Sequence, residues 1–99
     1  MADSWEDLVE RTCDADVTSG SMFGCQGLRT GRRFFAIWWA EQLVVKLPPE
    51  RLQELVATGQ AEHFEPMPGR RMNGWVVLGE SVSWDPVAAE ARAWVESQQ

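Results

Sequence analysis

His63 is the only histidine in the chain, and Glu62 and Glu65 stand close to it in sequence. If Ala61–Pro66 (AEHFEP) is a strand, His63 shares a face with Ala61 and Glu65, with Glu62 and Phe64 opposite. An imidazole–carboxylate acid–base pair is the chemistry this spacing offers. Catalysis needs a nucleophile, a base and an oxyanion site that converge, and no such set stands nearby. The plain alternative is a half-exposed strand histidine. Cys13 and Cys25 are the only cysteines. A zinc site wants about four ligands at motif spacing, which two thiols and one imidazole do not supply. Two ordinary thiols are expected, with no metal, no cofactor and no catalytic residue. Gly20, Gly24, Gly27 and Gly31 lack the spacing of a phosphate-binding loop.

Two arginine pairs carry a different chemistry. Arg32-Arg33 follows the turn signal Thr30-Gly31, and Arg70-Arg71 follows Met67-Pro68-Gly69. If the strand after the central helix runs parallel to the strand before it, both turns come to one end of a sheet. Four guanidinium groups there, with Lys46 in reach, would form a site for carboxylate, phosphate or an acidic partner. Two solvated turns kept soluble by charge are the alternative.

The elements that must position these residues follow from periodicity. Trp5, Leu8, Val9 and Thr12 recur at helical spacing after a capping Ser4, so a helix ending near Cys13 is expected. Asp14–Gly20 reads as a polar connection. Ser21–Thr30 reads as one irregular strand containing Gly24 and Gly27, Arg33–Trp39 as an aromatic strand, and Leu43–Leu47 as the next, with Ala40-Glu41-Gln42 as the turn between them. Pro48-Pro49 opens a helix whose buried stripe is Leu52, Leu55 and Val56, stopped by Thr58-Gly59. Ala61–Pro66 and Met72–Leu78 are two more strands. Asp85 caps a last helix with Pro86 in its first turn and Val87, Ala91, Trp94 and Val95 on its apolar face. The order α-β-β-β-α-β-β-α describes a two-layer α+β domain: a five-stranded, mostly antiparallel sheet with helices packed on it. Residues 1–99 form a single domain in this reading.

Composition bounds the function. The chain has 99 residues, 44% of them hydrophobic and 24% charged, within the range of a folded globule. No run of about 18 apolar residues is present, so no membrane span is expected. The start MADSWEDLVE is acidic where a secretory leader is basic and apolar, so a cytoplasmic location is expected. The net charge of −6 opposes binding to nucleic acid. That charge is uneven: residues 1–16 hold six acids and one arginine, whereas residues 26–46 hold Arg29, Arg32, Arg33 and Lys46 against Glu41 alone. A basic edge on an acidic body is expected.

The strand Arg33–Trp39 (RFFAIWW) is apolar on both faces. Regular alternation sends Phe34, Ala36 and Trp38 one way and Phe35, Ile37 and Trp39 the other. Antiparallel sheets often leave one face to water; this strand predicts that both are covered, by the chain's own helices or by another protein. Trp38 and Trp39 are therefore candidate interface anchors.

Met22-Phe23-Gly24, Phe34-Phe35-Ala36, Leu43-Val44-Val45-Lys46-Leu47-Pro48 with Glu50-Arg51, and Gly59…Phe64-Glu65-Pro66…Gly69-Arg70…Met72…Trp75-Val76-Val77 occur in an order that resembles the TfoX N-terminal-domain (TfoX/Sxy-like) family over about residues 16–96. The resemblance implies an α+β domain with a five-stranded antiparallel sheet, related in fold to MmcQ/YjbR proteins and similar to type III secretion chaperones. The founding members regulate natural competence and join this domain to a C-terminal helical domain, which a chain ending at Gln99 is expected to lack. The resemblance carries over no catalytic residues. The reading that results is a small non-enzymatic interaction or regulatory domain, expected as a homodimer. The rivals are a nucleic-acid-binding module working through the arginine turns, and a small-ligand or enzymatic site around His63 and tryptophan.

Overall fold

The computed structural model describes residues 5–22, 24–65, 69, 72–79 and 82–98. Helix α1 spans Trp5–Thr12, strands β1 to β4 span Val17–Met22, Cys25–Thr30, Arg33–Trp39 and Gln42–Lys46, and helix α2 spans Pro49–Ala57. Strands β5 (Ala61–His63) and β6 (Trp75–Leu78) and helix α3 (Trp84–Ser97) complete the chain. The fold is α+β, and the described residues form six strands rather than the five expected. The extra strand comes from the segment read as a polar connection and one irregular strand. Gly24 has φ +76°, a turn conformation that glycine adopts at no steric cost. It lets Met22 pair with Cys25, so the stretch folds back into a hairpin instead of running on.

The strands lie in the order β1-β2-β3-β4-β6-β5, and every neighbouring pair is antiparallel. Strand β6 inserts between β4 and β5, so β5 runs in the same direction as β4 without touching it. Strand β6 starts at Trp75, later than expected, because Met72-Asn73-Gly74-Trp75 forms a turn in which Trp75 N–H donates to the Met72 carbonyl at 3.3 Å. Gly74 takes φ +88° in that turn. Strand β5 ends at His63; Pro66, expected to close it, lies outside the described residues, as does the capping Ser4. The N-cap of α3 is Ser83, not Asp85. Asp85 sits in the first turn, where a carboxylate complements the helix dipole, and accepts from Arg11 at 3.0 Å.

One irregularity decides which side chains face where. The β2–β3 pairing slips between Leu28 and Arg29: Leu28 opposes Ala36 while Arg29 opposes Phe34. Phe35 is the extra residue of a β-bulge, and a bulge breaks strict alternation. Phe35 therefore joins Ala36 and Trp38 on the helix side. Phe34 joins Ile37 and Trp39 on the other side. This corrects the regular alternation expected for RFFAIWW, in which Phe34 and Phe35 exchange places.

The three described helices bury their stripes on one face. Trp5 and Leu8 of α1, Leu52 and Leu55 of α2, and Val87, Ala88, Ala91 and Val95 of α3 pack on Leu28, Phe35, Leu43, Val45, Val76 and Leu78. The Trp5 indole N–H donates to Gln26 Oε1 at 2.7 Å, tying α1 to β2. Arg51 of α2 bonds Glu90 of α3 at 2.9 Å, and Arg92 of α3 bonds Asp14 at 3.0 Å. The buried Thr30 hydroxyl donates to Glu96 Oε2 at 2.7 Å.

These last contacts set an acid limit. The backbone N–H groups of Asp16 and Val17, and then Arg92, hold the Asp14 carboxyl below its ordinary range. The Thr30 hydroxyl and then Arg92 do the same for Glu96. Because both folded values are depressed, the stabilisation is complete above the ordinary carboxylate range of about pH 4 and is lost as pH falls through the folded values. Stability followed by urea unfolding from pH 6 to pH 2 is expected to drop mainly below about pH 4. The drop should be shallower in Asp14→Asn and Glu96→Gln; equal slopes in both variants and the parent would contradict this assignment.

Candidate functional site

Among the described residues, no helix lies on the face of the sheet opposite α1, α2 and α3. Its floor is Ile37 and Val44, both fully buried, with Phe64 and Trp75 buried beside them. Cys25, Phe34, Trp39, Met72 and Val77 lie over and around that floor and are only half-buried. The Trp39 ring meets Phe64 edge-on at 5.3 Å. Strand β3 thus presents an aromatic surface that the described residues cover only in part.

Phe34 reaches from β3 over β2 and β1 on this face. A β-carbon on Gly27 would stand 2.8 Å from Phe34 Cδ1 and 2.9 Å from the Ala36 carbonyl oxygen; one on Gly20 would stand 3.3 Å from Phe34 Cζ. The ring therefore lies over two glycines paired across β1 and β2, a way of covering backbone that glycine leaves bare. The phenyl ring can swing, but the carbonyl cannot. Gly27→Ala is expected to cost about 2 kcal/mol by overpacking, read as a lower urea midpoint at unchanged slope. An unchanged midpoint would contradict the close approach.

Cations gather at one end of the same face. Lys46 alternates with Leu43, Val45 and Leu47 and so shares a face with Val44, as the sequence reading has it. Arg29 projects on this side as well, its Nε donating to the Thr18 hydroxyl at 3.2 Å. Arg32 and Arg33 are exposed at the β2–β3 turn, which lies at the end of the sheet where β4 finishes and β6 begins. Arg11, Arg51 and Arg92 are all engaged by carboxylates on the helix side. No ion pair with a described acid engages Arg29, Arg32, Arg33 or Lys46. Arg70 and Arg71 lie outside the described residues.

The two candidate tryptophans separate. Trp38 stacks on Trp5 at 5.7 Å and 15° and meets Trp84 at 5.7 Å and 66°, so its contacts are made within the chain on the helix side. Trp39 is on the open face. Sequence reasoning did not single out Phe34, Met72 and Val77 as surface residues. Their signal was the shared apolar character of β3 and β6, but the bulge and the strand order were needed to bring them together.

His63 points toward α2, in a shallow groove of about 440 Å³ with Pro49, Leu52, Gln53, Asn73 and Gly74. No hydrogen bond or ion pair joins it to a described carboxylate, so the acid–base pair with Glu65 does not form in this arrangement. Among the described residues, no group of three or more His, Cys, Asp or Glu side chains is placed to hold a metal ion. Cys13 is exposed beyond α1 and Cys25 is half-buried on the open face; both are free thiols. No helix among the described residues is long and apolar enough to cross a membrane.

A family model, the TfoX N-terminal domain, matches residues 8–97. The chain belongs to the TfoX N-terminal domain family. The match begins inside α1 and runs to the last residues of α3, so every strand of the sheet falls within the family's extent. Comparison with curated proteins gave no match, and comparison with solved structures gave none.

Proposed function

We propose that this chain is a small, non-enzymatic, cytoplasmic interaction domain that works as a homodimer and holds a partner protein on its open sheet face. The observation that carries the reading is the combination on that face: half-exposed Phe34, Trp39, Met72 and Val77 over a fully buried floor, bordered by four cations that no described acid engages. Aromatic side chains seated on a rigid sheet bury large area at low entropic cost and are enriched at binding hot spots. Unpaired guanidinium groups at the rim steer and orient carboxylates. The partner segment is therefore apolar and flanked by Asp or Glu. A regulatory role and the kinship of fold with Sxy-like, MmcQ/YjbR and type III secretion chaperone proteins belong to the same reading.

Selection from a displayed library of random 12-residue peptides tests it. The expected result is enrichment of sequences that combine aromatic or aliphatic residues with acids, bound by the parent chain and lost in Trp39→Ala. Enriched peptides no more apolar or acidic than the library, or binding indifferent to Trp39, would overturn it. Retention of duplex DNA that falls steeply between about 50 and 200 mM salt would favour a nucleic-acid partner instead.

A further inference from the structure

The two edges of the sheet differ in how they are protected. Strand β5 is three residues long and carries Glu62, and short, charged strands are how sheets discourage pairing with other chains. Strand β1 is six residues, VTSGSM, with no charge and no proline. It opens the longest uncharged stretch of the chain, residues 17–28.

The backbone groups that β1 offers follow from its register. Met22 and Cys25 close the hairpin as a hydrogen-bonded pair, so Gly20 with Gly27 and Thr18 with Arg29 are hydrogen-bonded pairs too. The N–H and C=O groups of Ser19 and Ser21 then point away from β2. Asp14 closes the edge at its start, its carboxylate accepting from Val17 N–H at 3.0 Å and its own N–H donating to the Val17 carbonyl at 3.1 Å. Thr18, Ser19 and Ser21 are exposed, so no described element overhangs this edge.

We infer that β1 is the self-association edge, pairing antiparallel with β1 of a second copy about a twofold axis at Gly20. This rests on the homodimer of the preceding reading and assigns its interface. Ser19 of one copy opposes Ser21 of the other, and each such pair exchanges two backbone hydrogen bonds. The four free groups of each copy are thereby satisfied by an identical set, and Asp14 prevents the register from extending. Charge selects the same arrangement. The chain carries net −6, yet antiparallel pairing places the two Asp16 residues about 27 Å apart along the strands, well beyond the screening length of about 8–10 Å. Parallel pairing would set Asp14 and Asp16 against their own copies. On the open face the Phe34 rings, each already reaching Gly20, meet across the axis. The product is a continuous twelve-stranded sheet with two open aromatic faces side by side, a bivalent platform.

Light scattering and sedimentation across about 1–100 μM chain, a range that brackets ordinary dimer affinities, test the assignment. The parent is expected to approach twice the 11.2 kDa of one chain. Ser21→Pro removes an outward N–H while leaving the β1–β2 ladder intact, and is expected to weaken the dimer at least tenfold with an unchanged circular dichroism spectrum. The doubly substituted Ser19→Lys/Ser21→Lys chain should do the same, and decides alone should the proline variant not fold. Trp39→Ala should leave the dimer intact. A dimer that survives both β1 variants, or one lost in Trp39→Ala, overturns the edge assignment and leaves the homodimer standing. A parent that stays monomeric at 100 μM overturns both.

Discussion

Trp38→Ala is expected to lower the stability of the domain by about 3 kcal/mol. Trp38 is the middle of three rings, stacked on Trp5 of α1 and edge-on to Trp84 at the start of α3. Its removal leaves a cavity beneath two helices and takes away two aromatic contacts worth about 0.5–1.5 kcal/mol each beyond their area. For a domain of this size that is a fall in Tm of more than about 10 °C. Thermal and urea unfolding measure it. A loss under about 1 kcal/mol would mean that the helices do not depend on this ring and that Trp38 is free for another partner.

Trp39→Ala, one residue along, is expected to behave in the opposite way. Trp39 meets Phe64 and packs against the cluster that holds Ile37, with no described helix above it, so its stability cost is about 1–2 kcal/mol and the fold survives. Affinity for an acidic, apolar peptide should fall at least about 30-fold, the size of a hot-spot truncation of about 2 kcal/mol. Reversing the rim with Arg32→Glu, Arg33→Glu and Lys46→Glu should slow association and flatten its salt dependence with little effect on dissociation. The contrast is the informative quantity: neighbouring residues of one strand, one lost from the fold and one lost from binding. Equal effects of the two alanines on both readouts would contradict the assignment of faces.

The helices were legible because their apolar residues recur at helical spacing. Trp5 and Leu8, Leu52 and Leu55, and Val87, Ala91 and Val95 are buried as their periodicity requires. Strand β1 was not legible. Thr18, Ser19, Gly20 and Ser21 are small or polar on both faces, because an edge strand with an open outer side need not alternate. The bulge at Phe35 was hidden for the opposite reason: RFFAIWW is apolar at every position after Arg33, so a one-residue slip leaves no mark on the pattern. Its position comes from the Leu28–Arg29 pairing. The insertion of β6 between β4 and β5 is a choice of non-local partner that local signals do not encode. Of the site, the cationic end was readable from the turn at Gly31 and from the alternation that sends Lys46 away from Leu43, Val45 and Leu47. The apolar half was not, since Phe34, Met72 and Val77 converge only through the bulge and the strand order.

The ends of β3 also differ in strain. Trp39 and Gln42 are joined by Ala40 and Glu41, which take φ +49° and +63°. That hairpin turn usually falls to Asn-Gly, since a side chain in this region costs about 1–2 kcal/mol. The turn follows Trp39 directly, so the aromatic end of β3 is held beside a tight two-residue connection.

The most direct test of the open face is the amide spectrum of ¹⁵N-labelled chain titrated with a library-selected acidic peptide. The largest shifts are expected at Phe34, Ile37, Trp39, Val44 and Val77, with the Trp39 indole moving and the Trp5 indole still. Shifts confined to the outer surfaces of α1 and α3, or to the groove at His63, would contradict it.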